Sequence, residues 1–344
     1  MRLQRLWNSY APPLVKKNSS TVVIILCIIA VYLVWKFIWF KQDSLSYLCS
    51  SEENLKQASY YEKLGVHIIP STPHRNRIQE KREGTSEELA SASADCVPVM
   101  TPDGAHSLLT CIHDPAIDLM LSAHLKNKGA WEKENVASVY NAHQLFPNLV
   151  LVDLGCNVGA FTLPAAKHGI EVVAVDAVMP SLRLLQRSLL INDLSCPVTL
   201  IHNALYKSRK KMRVVIDPTN IGGSQVAEIL DFRKDKIPPS QTVDAICLDD
   251  LVPFVRGRDV FLKLDLEGME VQVLQCAQEF FSQVDVKVVL LEWMFYRHHE
   301  EASGILKSFL TSHGLSPTWG VNPDRVIDLD ASHSWPDNVF WMKV

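Results

Sequence analysis

Leu149-Val-Leu-Val152 runs straight into Asp153-Leu154-Gly155-Cys156-Asn157-Val158-Gly159. A short continuous apolar run bounded by a turn reads as a strand buried on both faces. Such strands belong to parallel sheets covered by helices on both sides. Gly155 and Gly159 let the chain turn tightly and approach a ligand closely, and the helix expected after Gly159 would offer free backbone N–H groups to an acceptor. Asp153 closes the strand, where a carboxylate can hold a cationic group.

The rest of the chain repeats that alternation. Ile170–Val175 and Val198–His202 read as further strands, separated by a helix that Pro180 opens and whose Leu182, Leu185 and Leu189 share a face. Pro164 sits awkwardly in the helix after Gly159. Met212–Ile216, Val243–Leu248, Phe261–Leu264, Val286–Leu291 and Val339–Met342 are the later strands. Met269, Val273, Cys276 and Phe280 predict one helix face, and Ile305 to Leu310 a late helix capped by Gly314. Strand–helix alternation of this kind predicts a mostly parallel sheet with helices on both faces. Its ligands bind at the carboxyl ends of the strands, near the switch point.

Two ligand types suit the first turn. A dinucleotide fingerprint needs G-x-G-x-x-G, but Asn157 stands at the second glycine and Ala160 at the third. That argues against a nicotinamide-dependent oxidoreductase, the first alternative. S-adenosylmethionine has no pyrophosphate to cradle and suits an acidic strand end followed by G-x-N-x-G. Asp176, 23 residues after Asp153 at the end of the next strand, can accept both ribose hydroxyls of either ligand. Asn203 and Ala204 end the third strand, where an adenine edge would lie.

The second charged strand is Phe261-Leu262-Lys263-Leu264-Asp265-Leu266-Glu267-Gly268-Met269-Glu270. Alternation puts Lys263 and Asp265 on one face, and burying such a pair is costly without partners or purpose. Asp265 and Glu267 are the candidate catalytic carboxylates, with Lys263 as their electrostatic partner and Glu292 as a weaker candidate. Arg297-His298-His299-Glu300 lacks the HExxH spacing and reads as a helix start or loop. No metal site is expected.

The two motifs, DLGCNVG and LKLDLEGME, resemble the D-x-G-x-N-x-G and I-K-I-D-V-E-G-x-E segments of the FkbM family of S-adenosylmethionine-dependent methyltransferases. Asn220-Ile-Gly-Gly-Ser224, Leu248-Asp-Asp-Leu251 and Leu291-Glu292 are lesser matches. The resemblance spans roughly residues 96–344 and departs at Asp176, where many relatives have Glu. It implies a Rossmann-like class I methyltransferase fold, a seven-stranded sheet with one antiparallel strand. It also implies S-adenosylmethionine as cofactor and transfer to oxygen, on a glycan or small metabolite. The second alternative is an anchored module that binds its partner without turnover.

Upstream of this domain the chain changes character. Thr21–Trp35 carries no charge and continues past Lys36 as Phe37-Ile-Trp-Phe40. About 20 such residues suffice to cross a membrane. Arg2, Arg5, Lys16 and Lys17 precede it, so the positive-inside rule predicts a cytosolic tail over 1–20, a membrane helix over 21–40 and a lumenal remainder. This is the type II arrangement of a Golgi or other endomembrane protein. The sequon at Asn18-Ser19-Ser20 falls on the cytosolic side and gives no support for lumenal glycosylation. Residues 41–95 read as a polar stem. With 34 basic and 38 acidic residues the net charge is only −4, which gives no electrostatic reason to expect nucleic acid. Among eight cysteines, Cys96 and Cys111 flank a turn at Pro102-Asp103-Gly104 and could close a hairpin in an oxidising lumen. Cys156, Cys196, Cys247 and Cys276 read as small buried hydrophobes.

Overall fold

In the computed structural model, which describes residues 61–69, 95–230 and 237–343, the predicted alternation becomes a layered α/β domain. All of these residues fall in one unit, Leu55–Val344. The predicted tail 1–20 and membrane span 21–40 lie outside the described residues. Among the described residues, no helix is long and apolar enough to cross a membrane.

In chain order the elements begin with β1 (Ile68–Ile69), the hairpin β2 (Cys96–Met100) and β3 (Ser107–Cys111), and helices α1 (Leu121–Lys128) and α2 (Lys133–Leu145). Next come β4 (Leu149–Leu154), α3 (Thr162–Lys167), β5 (Glu171–Asp176), α4 (Met179–Ile191) and β6 (Val198–His202). A second sheet uses β7 (Ala204–Leu205), β8 (Lys210–Val215), β9 (Gln225–Glu228) and β10 (Thr242–Ile246). After α5 (Val252–Val255) follow β11 (Asp259–Leu264), α6 (Glu270–Leu274), α7 (Gln278–Gln283) and β12 (Asp285–Glu292). The series ends with α8 (Glu300–Ser312), β13 (Leu315–Thr318) and β14 (Asn338–Lys343).

The main sheet has the order β1-β6-β5-β4-β11-β12-β14-β13. Strands β6, β5, β4, β11 and β12 are parallel, and β14 runs against both β12 and β13. The chain winds outward from β4 to β6, then returns to place β11 on the other side of β4. The switch point therefore lies between β4 and β11, and a ligand belongs at their carboxyl ends.

Strand periodicity divides the core in two. Val150, Val152 and Leu154 of β4 face a cluster that includes Leu274, Phe280, Leu306, Leu310, Trp293 and Trp341. Leu149 and Leu151 face the other, with Val136, Val139, Leu163, Leu182 and Leu185. Pro164 proves harmless: it lies in the first turn of α3, where N–H groups have no intrahelical partner.

Three expectations need correction. Seven strands were expected and eight are present. The extra edge strand, β1, comes from the segment read as a stem. It pairs antiparallel with β6, and Tyr61 and Val66 beside it are buried in the core. Two paired isoleucines in a polar stretch are too short a pattern to register as a strand. The single helix face from Met269 to Phe280 is broken into α6 and α7. Cys276 sits at the break in a disulfide to Cys247, and Asp249 Oδ1 accepts the Phe280 N–H at 2.7 Å to start the second helix. Cys247 and Cys276 are thus not free hydrophobes, and Cys196 is also disulfide-bonded. Cys156 is the one of the four that is free and buried. The Cys96–Cys111 bridge is present and closes the β2–β3 hairpin.

Candidate active site

A cavity of about 470 Å³ opens at the carboxyl ends of β6, β5, β4, β11 and β12. That is an ordinary size for a small-molecule site. Seen along the strand ends, its wall runs from Asn203, Ala204 and Leu205 through Asp176 to Gly155, Cys156 and Asn157, then to Lys263, Asp265 and Glu267, and finally Glu292. Eight of the ten residues singled out as site residues line it. Asp153 and Gly159 are not among the lining residues.

Asp153 is 0% exposed. Parallel register sets it opposite Lys263 on the same sheet face. Its Oδ2 accepts from Thr162 Oγ1 at 2.6 Å, and its Oδ1 lies 3.4 Å from Lys263 Nζ. Sealed beneath the turn, it serves Lys263 and is not placed to meet a ligand's ammonium. Gly159 is also a packing residue: a Cβ there would come within 2.3 Å of Leu185 Cδ1. It lets the turn lie flat on α4.

Gly155 is needed for another close approach. With φ +77°, it lies where a Cβ would meet the Asp265 carbonyl oxygen at 1.9 Å. The two motif turns are therefore packed backbone to backbone. Lys263 fastens them: its ammonium donates to the Gly155 carbonyl at 3.1 Å and pairs with Asp265 Oδ2 at 3.0 Å. It also lies 5.1 Å from the centroid of the Phe161 ring. Burial pulls its pKa down, but Asp265 and Asp153 outweigh that and hold it charged. Gly155 O and Asp265 bond the ammonium directly, and the Asp153 carboxylate neutralises it from 3.4 Å below. Lys263 is therefore a positioning residue whose own chemistry is spent on the fold.

Asp176 organises the ribose end. Its Oδ2 accepts from the Asn157 N–H at 2.8 Å and its Oδ1 from the Val178 N–H at 2.7 Å. Each oxygen keeps acceptor capacity beyond these bonds, and the residue lines the cavity. Burial pushes the carboxyl up to about 6 despite those two bonds. Asn157 adopts a left-handed backbone, φ 49°. Its side chain rests on Gly222, where a Cβ would come within 2.3 Å of Nδ2. That amide fills the space a second fingerprint glycine would leave open to a pyrophosphate.

Asn203 departs from expectation. Its amide oxygen accepts from the His67 N–H at 2.8 Å, and its nitrogen donates to the carbonyls of Gly65 (2.8 Å) and Asp244 (2.9 Å). The side chain ties the β1 segment to the second sheet and has little left for an adenine. Only its backbone and that of Ala204 remain available at that wall.

The turn after β11 gathers the acids. Glu267 has φ 55° and precedes Gly268 at φ 90°. Glu270 holds this turn from beneath: its Oε1 accepts from the Leu266 N–H at 2.7 Å, and its Oε2 is bonded by the Tyr296 hydroxyl. Burial, then Asp265 and Glu270, push the Glu267 carboxyl up to about 7. Burial raises Glu292 much further, with Asp265, Glu267 and Glu270 adding to it. Ligand atoms of Asp265, Glu267 and Glu292 lie within 4.8 Å of one another. These three carboxylates could hold a divalent cation, an arrangement that the sequence reading, with its expectation of no metal, did not anticipate. Around the mouth stand Met120 (53% exposed) and Met294 (51% exposed), with Leu121, Trp131 and Phe295 in the wall. Trp131, Glu132, Met294 and Phe295 carried no motif signal. Position in the fold alone brings them in.

The strand order, the switch-point cavity and the acidic strand ends define a class I methyltransferase domain. Residues 153–316 match the family model described as the methyltransferase FkbM domain, and S-adenosylmethionine is the cofactor. No curated protein matches the sequence. Among solved structures, the precorrin-6y C5,15-methyltransferase of Geobacter metallireducens is similar at 13% identity and a TM-score of 0.31, covering 61% of this chain and 85% of that one. The magnesium protoporphyrin IX methyltransferase of Synechocystis, solved with bound S-adenosylmethionine, gives 13%, 0.31, 61% and 76% in the same order. The CcbJ methyltransferase of Streptomyces caelestis gives 12%, 0.35, 64% and 96%. Likenesses this distant carry no argument about the reaction.

Proposed function

We propose that this chain is a membrane-anchored O-methyltransferase that modifies a hydroxyl of a glycan or small metabolite on the lumenal side of an endomembrane. The observation that carries the transfer reading is the meeting, in one cavity, of Asp176 with the carboxylates Asp265, Glu267 and Glu292. When bound, S-adenosylmethionine supplies an electrophilic methyl group on a sulfonium leaving group.

The protein's own contribution is alignment and proton management. Asp176 and the Gly155–Asn157 turn hold the donor. Lys263 locks the turn after β11 against that loop, so the acids stay in register with the donor seat. Asp265 is tied to Lys263. Glu267 stands free of any cation among the described residues, with a carboxyl pushed up to about 7. It is the group best placed to take the hydroxyl proton.

The Cys96–Cys111 and Cys247–Cys276 bridges support an oxidising, lumenal setting. The apolar stretch at 21–40 supports the anchor. The test is isotopic methyl transfer from labelled donor to extracts fractionated by chemical class. Label is expected in a neutral hydroxylated fraction, and Glu267→Gln should lower its rate by about 10²–10⁴. Label confined to amine-bearing fractions would overturn the oxygen reading. Protease protection in intact microsomes tests the side of the membrane.

A further inference from the structure

We propose that Glu132 anchors the ammonium group of the donor's methionine tail, an inference that rests on the donor reading above. The wall of the cavity fixes the donor's direction. Asp176 marks the ribose. On its β6 side the lining includes Val178, Ala204 and Leu205, suited to the flat faces of a base. The charged tail must therefore run the other way, past Gly155 toward Lys263 and Asp265.

An ammonium in that half of the cavity needs an acceptor that is not already spent. Asp153 is sealed below the turn. Asp265 is paired with Lys263. Glu132 also lines the cavity, within electrostatic reach of Asp265 and Lys263, and among the described residues it forms no ion pair with a cation. Its Oε2 accepts one hydrogen bond, from Asn135 Nδ2 at 3.0 Å, which aims the carboxylate and leaves lone pairs over. Burial raises its carboxyl, with Asp265 adding to the rise and the Asn135 bond and Lys263 opposing it.

The backbone around Glu132 is built to hold this position. Glu132 takes the left-handed conformation, φ 37° and ψ 48°, immediately before α2. For a residue other than glycine that conformation is costly and survives only when the surroundings enforce it. The carbonyl of Glu132 accepts the Val136 N–H at 3.0 Å. Upstream, the Met100 N–H donates to the Gly129 carbonyl at 2.8 Å, tying this turn to the disulfide-closed hairpin. Two elements outside the DLGCNVG motif thus supply the carboxylate that Asp153 cannot.

Calorimetric titration of the purified full-length chain tests the assignment with three probes. These are S-adenosylhomocysteine, its analogue lacking the amino group, and 5′-methylthioadenosine, which lacks the whole tail. The native chain should bind S-adenosylhomocysteine about ten- to a hundredfold tighter than the deaminated analogue, the value of one charge-assisted hydrogen bond. Glu132→Gln should erase that preference and leave 5′-methylthioadenosine within about twofold of its native affinity. Equal native affinity for the first two probes would overturn the proposal without any variant being needed. So would Glu132→Gln weakening all three alike, which would mark a structural role. Absence of binding to all three by the native chain would instead remove the donor reading itself.

Discussion

Replacing Asp176 by Asn keeps the side chain's shape but turns one terminal oxygen into an NH₂. In the native turn both oxygens are acceptors, one for the Asn157 N–H at 2.8 Å and one for the Val178 N–H at 2.7 Å. Whichever way the amide is placed, one backbone N–H must face a donor. An unsatisfied buried donor costs about 1–3 kcal/mol, so the Gly155–Asn157 loop should loosen. The ligand loses as well. A hydroxyl bonded to a carboxylate is worth about 1.5–3 kcal/mol, and losing one such bond to the ribose is roughly a ten- to 150-fold rise in Kd. Acidity should mimic the substitution. The carboxyl is pushed up to about 6, and only its ionised form can accept both backbone bonds and the ribose. Affinity of the native chain for S-adenosylhomocysteine should be flat above about pH 7 and fall about tenfold per pH unit below about 6. The variant should be weak throughout and lack that slope. Calorimetric titration from pH 5 to 8 reads both effects. A variant within threefold of native, or a native chain with no loss of affinity on acidification, would refute the assignment of Asp176 to the ribose.

Three other outcomes follow from the same contacts. Lys263→Met strands Asp153 as an unpaired charge at 0% exposure, which should cost about 3–5 kcal/mol in urea unfolding; a loss under 1 kcal/mol would show that the ion pair does not hold the two turns. Asn203→Leu removes the acceptor of the His67 N–H and the donor to Gly65 O, so hydrogen exchange at residues 65–69 should accelerate while that of β4 does not. The Cys247–Cys276 bridge spans 29 residues, and Cys247→Ser with Cys276→Ser should lower stability by about 3–4 kcal/mol on the chain-entropy account. An unchanged urea midpoint would contradict that account.

Much of the scaffold was legible because burial on both faces leaves a strong mark. Leu149–Leu154, Glu171–Asp176 and Val198–His202 stand within two residues of where their apolar runs place them. The site was legible where backbone chemistry requires a residue type, as at Gly155, or where charge interrupts a buried strand, as at Lys263 and Asp265. It was not legible where a role depends on contacts far away in the chain. Asn203 looks like a ligand residue in a strand-end triplet, yet its amide is taken by Gly65 and His67, more than 130 positions upstream. The β1 segment was missed for the matching reason, since its strand character comes from β6 and not from its own composition.

The amino-acid pattern alone determined the class of domain and the strand ends from which the cavity is built, because period, turn residues and buried charge are local properties. Only the folded chain decided which carboxylate faces the cavity and which is sealed under it. Asp153 and Lys263 are brought opposite each other by parallel register across 110 residues of chain, while Glu132, Asp176, Asp265, Glu267 and Glu292 are among the acids that line the cavity. Long-range register and burial set those roles, and no window of sequence contains them.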